Sequence, residues 1–212
     1  FVFRQVLPGN VETAQTDFIS LLVSHFFVFG LMEELLKALP VFAALWLGLK
    51  LKWPWRERIG VTEPLDGILL GAASAVGFTL LETLGQYVPG TVQQVTAQYG
   101  TGTGELVGLQ LLIPRIIGSV PAHMAYSGYF GYFIGLSVLK PSKRWQILGI
   151  GYFTASALHA FWNASGAIHP LVRFVAGVLA YLFLLAAILK ARKLSPNRSQ
   201  NFATQYYPYK SR

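Results

Sequence analysis

Apolar residues run along this chain in long unbroken blocks, and short polar or basic segments separate them. A helix needs about 20 predominantly apolar residues to cross roughly 30 Å of hydrocarbon. By that measure the sequence predicts helices over about 18–49, 64–88, 105–139, 145–168 and 171–189. Thr16 or Asp17 can cap the first of them. The first and third are longer than a span requires. Pro40 interrupts the first, Pro114 and Pro121 the third, and each removes an amide donor and should bend its helix. The segment 89–104 is rich in Gly, Thr and Gln and holds no Lys or Arg, so it reads as a flexible connection. Its Gly-Thr run lacks the Gly-Lys-Ser/Thr ending of a phosphate loop. The expected fold is therefore all-α, a polytopic transmembrane helix bundle of about five spans. A polar segment over 1–17 precedes a membrane-embedded core over 18–191, and a mobile, tyrosine-rich tail follows over 192–212.

Composition supports a lipid bilayer as the first partner. Hydrophobic residues make up 53% of the chain and charged ones only 12%, where a soluble domain carries about 25%. Mean hydropathy is +0.47. The net charge of +8 would suit nucleic acid, but the basic residues gather at 50–58, 140–144 and 190–193, between apolar blocks. Uncharged connections alternate with these basic ones. That asymmetry puts the N-terminus outside and the C-terminus in the cytoplasm, and leaves no nucleic-acid surface. The chain is expected to be an integral membrane protein of a bacterial or archaeal cell. Absence of Cys excludes disulfides and Cys-ligated zinc. The chain opens at Phe1 with no visible secretory signal, which leaves room for helices before it.

Within the apolar blocks lie a few ionisable residues, which are costly in lipid, face protein or water, and mark function. Glu33, Glu34 and Lys37 share the first block, Glu82 the second, Arg115 and His123 the third, His159 and Asn163 the fourth. At about 1.5 Å per residue, Glu33, Glu82, His123 and His159 all fall roughly 21–25 Å from the cytoplasmic side. Polar groups from four separate spans thus share one layer, towards the outer face. His159 and Asn163 are one turn apart, as are Glu33 and Lys37, while Ser119, His123 and Ser127 form a stripe whose hydroxyls can orient the imidazole. Glu34 points about 100° away from Glu33, so the two should have different partners. His25 and His169 read as interfacial. Each residue also has an ordinary structural reading: the glutamates as partners of Lys37 and Arg115, each histidine as a satisfied core residue.

Carboxylates, imidazoles and an amide in one layer suit hydrolysis. A desolvated Glu can take a proton from water, and His and Asn can donate to a developing oxyanion. The same groups can bind zinc through Glu82, His123 and His159, with a second Glu as base. No compact His-Glu-x-x-His helix is present. A non-catalytic scaffold or ion carrier is the remaining alternative.

Four elements in order carry a resemblance: Glu33-Glu34-Leu35-Leu36-Lys37; Gly77-Phe78-Thr79-Leu80-Leu81-Glu82-Thr83 with Tyr87; Arg115 with His123; and His159-Ala160-Phe161-Trp162-Asn163. They resemble the motifs of the PrsW intramembrane proteases over roughly 17–166, although Tyr87 stands one position beyond the expected place. That family is related to the CAAX-prenyl endopeptidases and CPBP proteases, with their Glu-Glu-x-x-x-Arg, Phe-x-x-x-His and His-x-x-x-Asn elements. The resemblance implies Glu33 as general base, Glu34 as its support, His159 and Asn163 polarising the scissile carbonyl, and His123 completing the site. Glu82 stands where relatives carry a His, between the roles of second base and metal ligand. The implied substrate is a membrane-anchored protein such as an anti-sigma factor.

Overall fold

The computed structural model describes residues 17–195. The expected terminal segments lie outside these, apart from Asp17 and 192–195. Every regular element among the described residues is helical.

Asp17 caps α1 (Phe18–His25), its carboxylate accepting from the amides of Ile19 and Ser20 and the Ser20 hydroxyl at 2.9–3.0 Å. The Ser20 amide and hydroxyl together hold its carboxyl below the usual range. A π-helical turn, Phe26–Leu31, joins α1 to α2 (Met32–Lys50) without a break in the rod. After the short α3 (Trp55–Ile59) comes α4 (Pro64–Glu82), whose first turn is closed by Asp66 accepting from the amides of Thr62 and Glu63. A second π turn, Thr83–Tyr87, leads into α5 (Val88–Tyr99). Gly100, with φ of 87°, reverses the chain into α6 (Thr101–Pro114). A third π turn, Arg115–Ser119, then leads into α7 (Val120–Leu139). A single 3₁₀ turn separates α7 from α8 (Arg144–Ser165), and α9 (Pro170–Leu194) is capped by His169, whose Nδ1 accepts from the Leu171 amide at 3.1 Å.

Four helical stretches are long and apolar enough to cross a membrane: Phe18–Lys50, Pro64–Tyr99, Thr101–Leu139 and Pro170–Leu194. The helix expected over 145–168 forms as α8, which carries Ser156, His159 and Asn163 and is not among these four. Segment 89–104 is not a flexible connection. It belongs to the α5–α6 hairpin, in which a Cβ on Gly104 would collide with Thr96 and one on Gly108 with Val92. These glycines seat one helix against the other. Departure from α geometry falls at the three π turns, while Pro40 lies inside the unbroken α2. The Tyr152 hydroxyl donates to the Leu31 carbonyl at 2.6 Å, beside the first of those turns.

α7 is the central helix, packed against α2, α4, α8 and α9. Its closest approach is to α4, where a Cβ on Gly67 would collide with the Gly131 carbonyl and one on Gly131 with the Gly67 carbonyl. Backbone contact of this kind is how helices associate in lipid, where apolar side chains gain little from meeting each other. Gly131→Ala is expected to destabilise the protein by about 1–3 kcal/mol, the usual cost of overpacking. Thermal unfolding in detergent checks this, with Gly77→Ala as the control because nothing lies within 4 Å of a Cβ there. Equal melting of the two variants would show that the α4–α7 crossing separates freely.

Candidate active site

The first turn of α2 brings two carboxylates inward. Glu33 is 5% exposed and Glu34 fully buried, while Leu35, Leu36 and Leu39 on the opposite face are exposed. Such charges persist in a core only when paired and hydrogen-bonded. Lys37, 2% exposed, supplies the pairing, with Nζ 3.2 Å from Glu33 Oε2 and 2.9 Å from Glu34 Oε1. The expected Glu33–Lys37 pair forms, and Glu34 shares that lysine in addition to partners of its own. The ammonium also lies over the rings of Phe78 and Tyr126, at 4.6 and 5.7 Å from their centroids.

Glu34 is the most heavily bonded of the acids. Besides Lys37 it accepts from the Ser127 hydroxyl at 2.7 Å and faces His159 Nδ1 at 3.0 Å. Ser127 therefore orients this carboxylate, where the sequence suggested that it orients His123. An ionised carboxylate only accepts, so His159 Nδ1 carries a proton and its Nε2 is turned towards Glu33 Oε2, 3.7 Å away. Tyr126 stacks on the His159 ring at 4.7 Å and 11°, fixing its plane. The His123 ring stands 4.9 Å from that of His159, and its buried Nδ1 has no hydrogen-bond partner.

Glu33, Glu82, His123, His159 and Asn163 all line one cavity of about 190 Å³, joined by His25, Arg115 and Arg173. The structure thus brings together residues of α2, α4, α7 and α8 that the depth argument placed in one layer. Glu34 lies behind this lining. Glu82 is ion-paired with Arg115, whose Nε donates to Thr83 Oγ1 at 2.9 Å and whose guanidinium lies 4.1 Å over the Tyr87 ring. The arrangement offers a buried carboxylate, two imidazoles and an amide around a space large enough for a peptide bond and a water. It can remove a proton and stabilise an oxyanion.

A sequence model described as PrsW family intramembrane metalloprotease matches residues 1–188. The chain belongs to the PrsW family. Protease PrsW of Shouchella clausii (strain KSM-K16) is 27% identical over 172 residues, covering 80% of this chain and 67% of the relative. No solved structure matches the chain. Family membership and the four apolar helices make this an integral membrane protein and an intramembrane peptidase.

The PrsW description names a metal, and the donor set fits one. Ligand atoms of Glu33, His123 and His159 all lie within 4.8 Å of one another. Ligands on a tetrahedral zinc stand about 3.4 Å apart, so a modest contraction would suffice. His159 is already held through Nδ1 by Glu34, the carboxylate–histidine arrangement that orients metal-ligating imidazoles. The buried His123 Nδ1 has no hydrogen-bond partner, so that nitrogen is not committed elsewhere. This set contains Glu33 where the sequence suggested Glu82, which is ion-paired with Arg115.

Sequence reasoning overlooked several parts of the PrsW site. His25, read as interfacial, lines the cavity from about two turns before Glu33. Tyr126 had no signal beyond being aromatic in an apolar run, and Trp162 stood in the His159–Asn163 element without a role. Arg173, in the first turn of α9, lines the cavity and lies over Trp162, 5.9 Å from that ring.

Proposed function

We propose that this PrsW-family chain hydrolyses a peptide bond of a membrane-anchored protein with Glu33 as the base. The convergence of Glu33, His123 and His159 on one polar cavity carries this reading. The Glu33 carboxylate takes a proton from the attacking water. Lys37 Nζ pairs with it at 3.2 Å and does not itself line the cavity. Glu34 acts through His159, fixing the ring that, with the Asn163 amide, stabilises the carbonyl oxygen as charge develops on it. His123 completes the wall, and Glu82 is a positioning group locked by Arg115. The likeness to the CAAX-prenyl endopeptidases and CPBP proteases supports the same roles for Glu33, His159 and Asn163. The PrsW motifs support regulated cleavage of a substrate such as an anti-sigma factor.

A second reading is favoured by the three-residue donor set. There Glu33, His123 and His159 would hold a divalent ion such as zinc. When bound, such an ion supplies Lewis-acid polarisation and a water acidic enough to attack near neutral pH.

Counting α8 as a span supports a five-span arrangement with the N-terminus outside. Its 22 residues reach about 33 Å, and the alternation of basic and uncharged connections agrees. Cleavage of a membrane-anchored reporter in vesicles, measured with elemental analysis, tests the two chemical readings. His159→Ala is expected to slow cleavage about 10²–10³-fold, the loss typical of one oxyanion donor. If a metal serves, His123→Ala and His159→Ala also lose bound metal and a chelator stops the wild type. Full activity of His159→Ala would remove that residue from the mechanism.

A further inference from the structure

We infer that the apolar groove between α7 and α9 receives the transmembrane helix of the substrate, and that Trp162 is the partition its scissile segment passes to reach the cavity. This rests on the proteolytic reading above. The groove has a volume of about 680 Å³, with Ile117, Pro121 and Ala122 on one wall and Phe174, Val178 and Leu182 on the other. Its first wall and the catalytic cavity are opposite sides of the same helical turns. Pro121 and Ala122 face the groove, while Ser119 and His123 face the cavity. Trp162 lines both. The indole is held in place: the Arg173 guanidinium lies over its ring, and a Cβ on Gly177 would stand 2.7 Å from its Cζ3. One seated aromatic side chain therefore separates a lipid-exposed recess from the polar site.

The dimensions favour a substrate helix as occupant. A cavity of about 190 Å³ cannot admit a helix about 10 Å across, so it takes only an unwound segment. The remaining helix of that substrate must lie alongside, in lipid. The second apolar recess, around Trp46 and Trp145, shares no lining residue with the cavity, whereas the α7–α9 groove shares Trp162. Helices associate in lipid by close packing at small residues. Gly118 and Ala122 stand one turn apart in the groove, and a Cβ at Gly118 would meet nothing within 4 Å.

The test places a photo-crosslinking benzoylphenylalanine at Val178 in the Glu33→Gln variant. The protein is reconstituted in phosphatidylcholine–phosphatidylglycerol vesicles with a synthetic single-span peptide. The probe has a Leu/Ala helix of about 20 residues and a Gly/Asn-containing break near its outer end. Leu69, 70% exposed and lining neither recess, is the control position. Expected is roughly tenfold more peptide adduct from 178 than from 69, with the excess abolished by Gly118→Phe, which fills the groove. Equal adducts at both positions, or adducts only to lipid or within the chain at 178, overturn the inference. Cleavage of the peptide by the wild type but not by Glu33→Gln, together with equal adducts, sinks the groove alone. Persistent cleavage by Glu33→Gln, together with an adduct specific to 178, sinks the role of Glu33 and leaves the groove standing.

Discussion

Glu33→Gln is expected to slow cleavage of a membrane-anchored substrate by about 10²–10⁴-fold, the range that general-base catalysis supplies. The amide matches the carboxylate in shape, and its oxygen can still accept from Lys37 Nζ, which stays paired with Glu34 at 2.9 Å. Packing should therefore survive, and the variant should melt near the wild type while losing the group that accepts the water's proton. Cleavage rate and thermal unfolding of one detergent preparation check both halves. An equally active variant would place the base elsewhere in the cavity, with Glu82 the next candidate. Metal content of the same sample adds a third readout, since loss of bound ion on this substitution would identify Glu33 as a ligand.

The largest effect on stability is expected from Lys37→Met. Lys37 is 2% exposed and is the shared cation between two buried carboxylates. Its removal leaves those carboxylates facing each other in low dielectric. Breaking a buried pair by deleting one partner costs about 3–5 kcal/mol, a large share of the roughly 5–15 kcal/mol that holds a domain folded. Poor recovery of folded protein and a sharply lowered melting temperature are the expected measurements. Adding Glu34→Gln should restore part of the loss, because it removes one uncompensated charge while the amide oxygen can still accept from Ser127, now 2.7 Å from Glu34. A double variant no better than Lys37→Met would mean that packing over Phe78 and Tyr126, rather than charge, makes the lysine necessary.

The parts of this molecule legible from its residues are those where lipid makes mistakes costly. Glu33, Glu82, His123 and His159 stood out because nothing around them was polar, and helical rise alone put them at one depth. The structure lines one cavity with all four. Partner choice was harder to read. Spacing along α2 separates Glu33 from Glu34 by about 100°, yet the flexible Lys37 stem reaches both. The donor set likewise differs from the expected one, with Glu33 beside His123 and His159. Arg115 takes Glu82 across 33 positions of sequence, which no local spacing reveals. In the α5–α6 hairpin, Gly104 suggested a loose chain, because glycine gives the same signal whether it supplies freedom or room. Only the facing Thr96 and Val92 distinguish the two.

The three π turns bear on chain length. A turn closed by i→i+5 bonds takes up one more residue than an α turn, so everything beyond it is rotated by about 100° from where an unbroken rod would carry it. Glu33 follows one such turn, Tyr87 ends another, and His123 follows the third. Tyr87, one position late by family spacing, sits where that additional residue is absorbed and lies under Arg115. Single-residue insertions and deletions here are therefore changes of angular phase, and a π turn takes up an added residue that would otherwise swing the following side chains by about 100°.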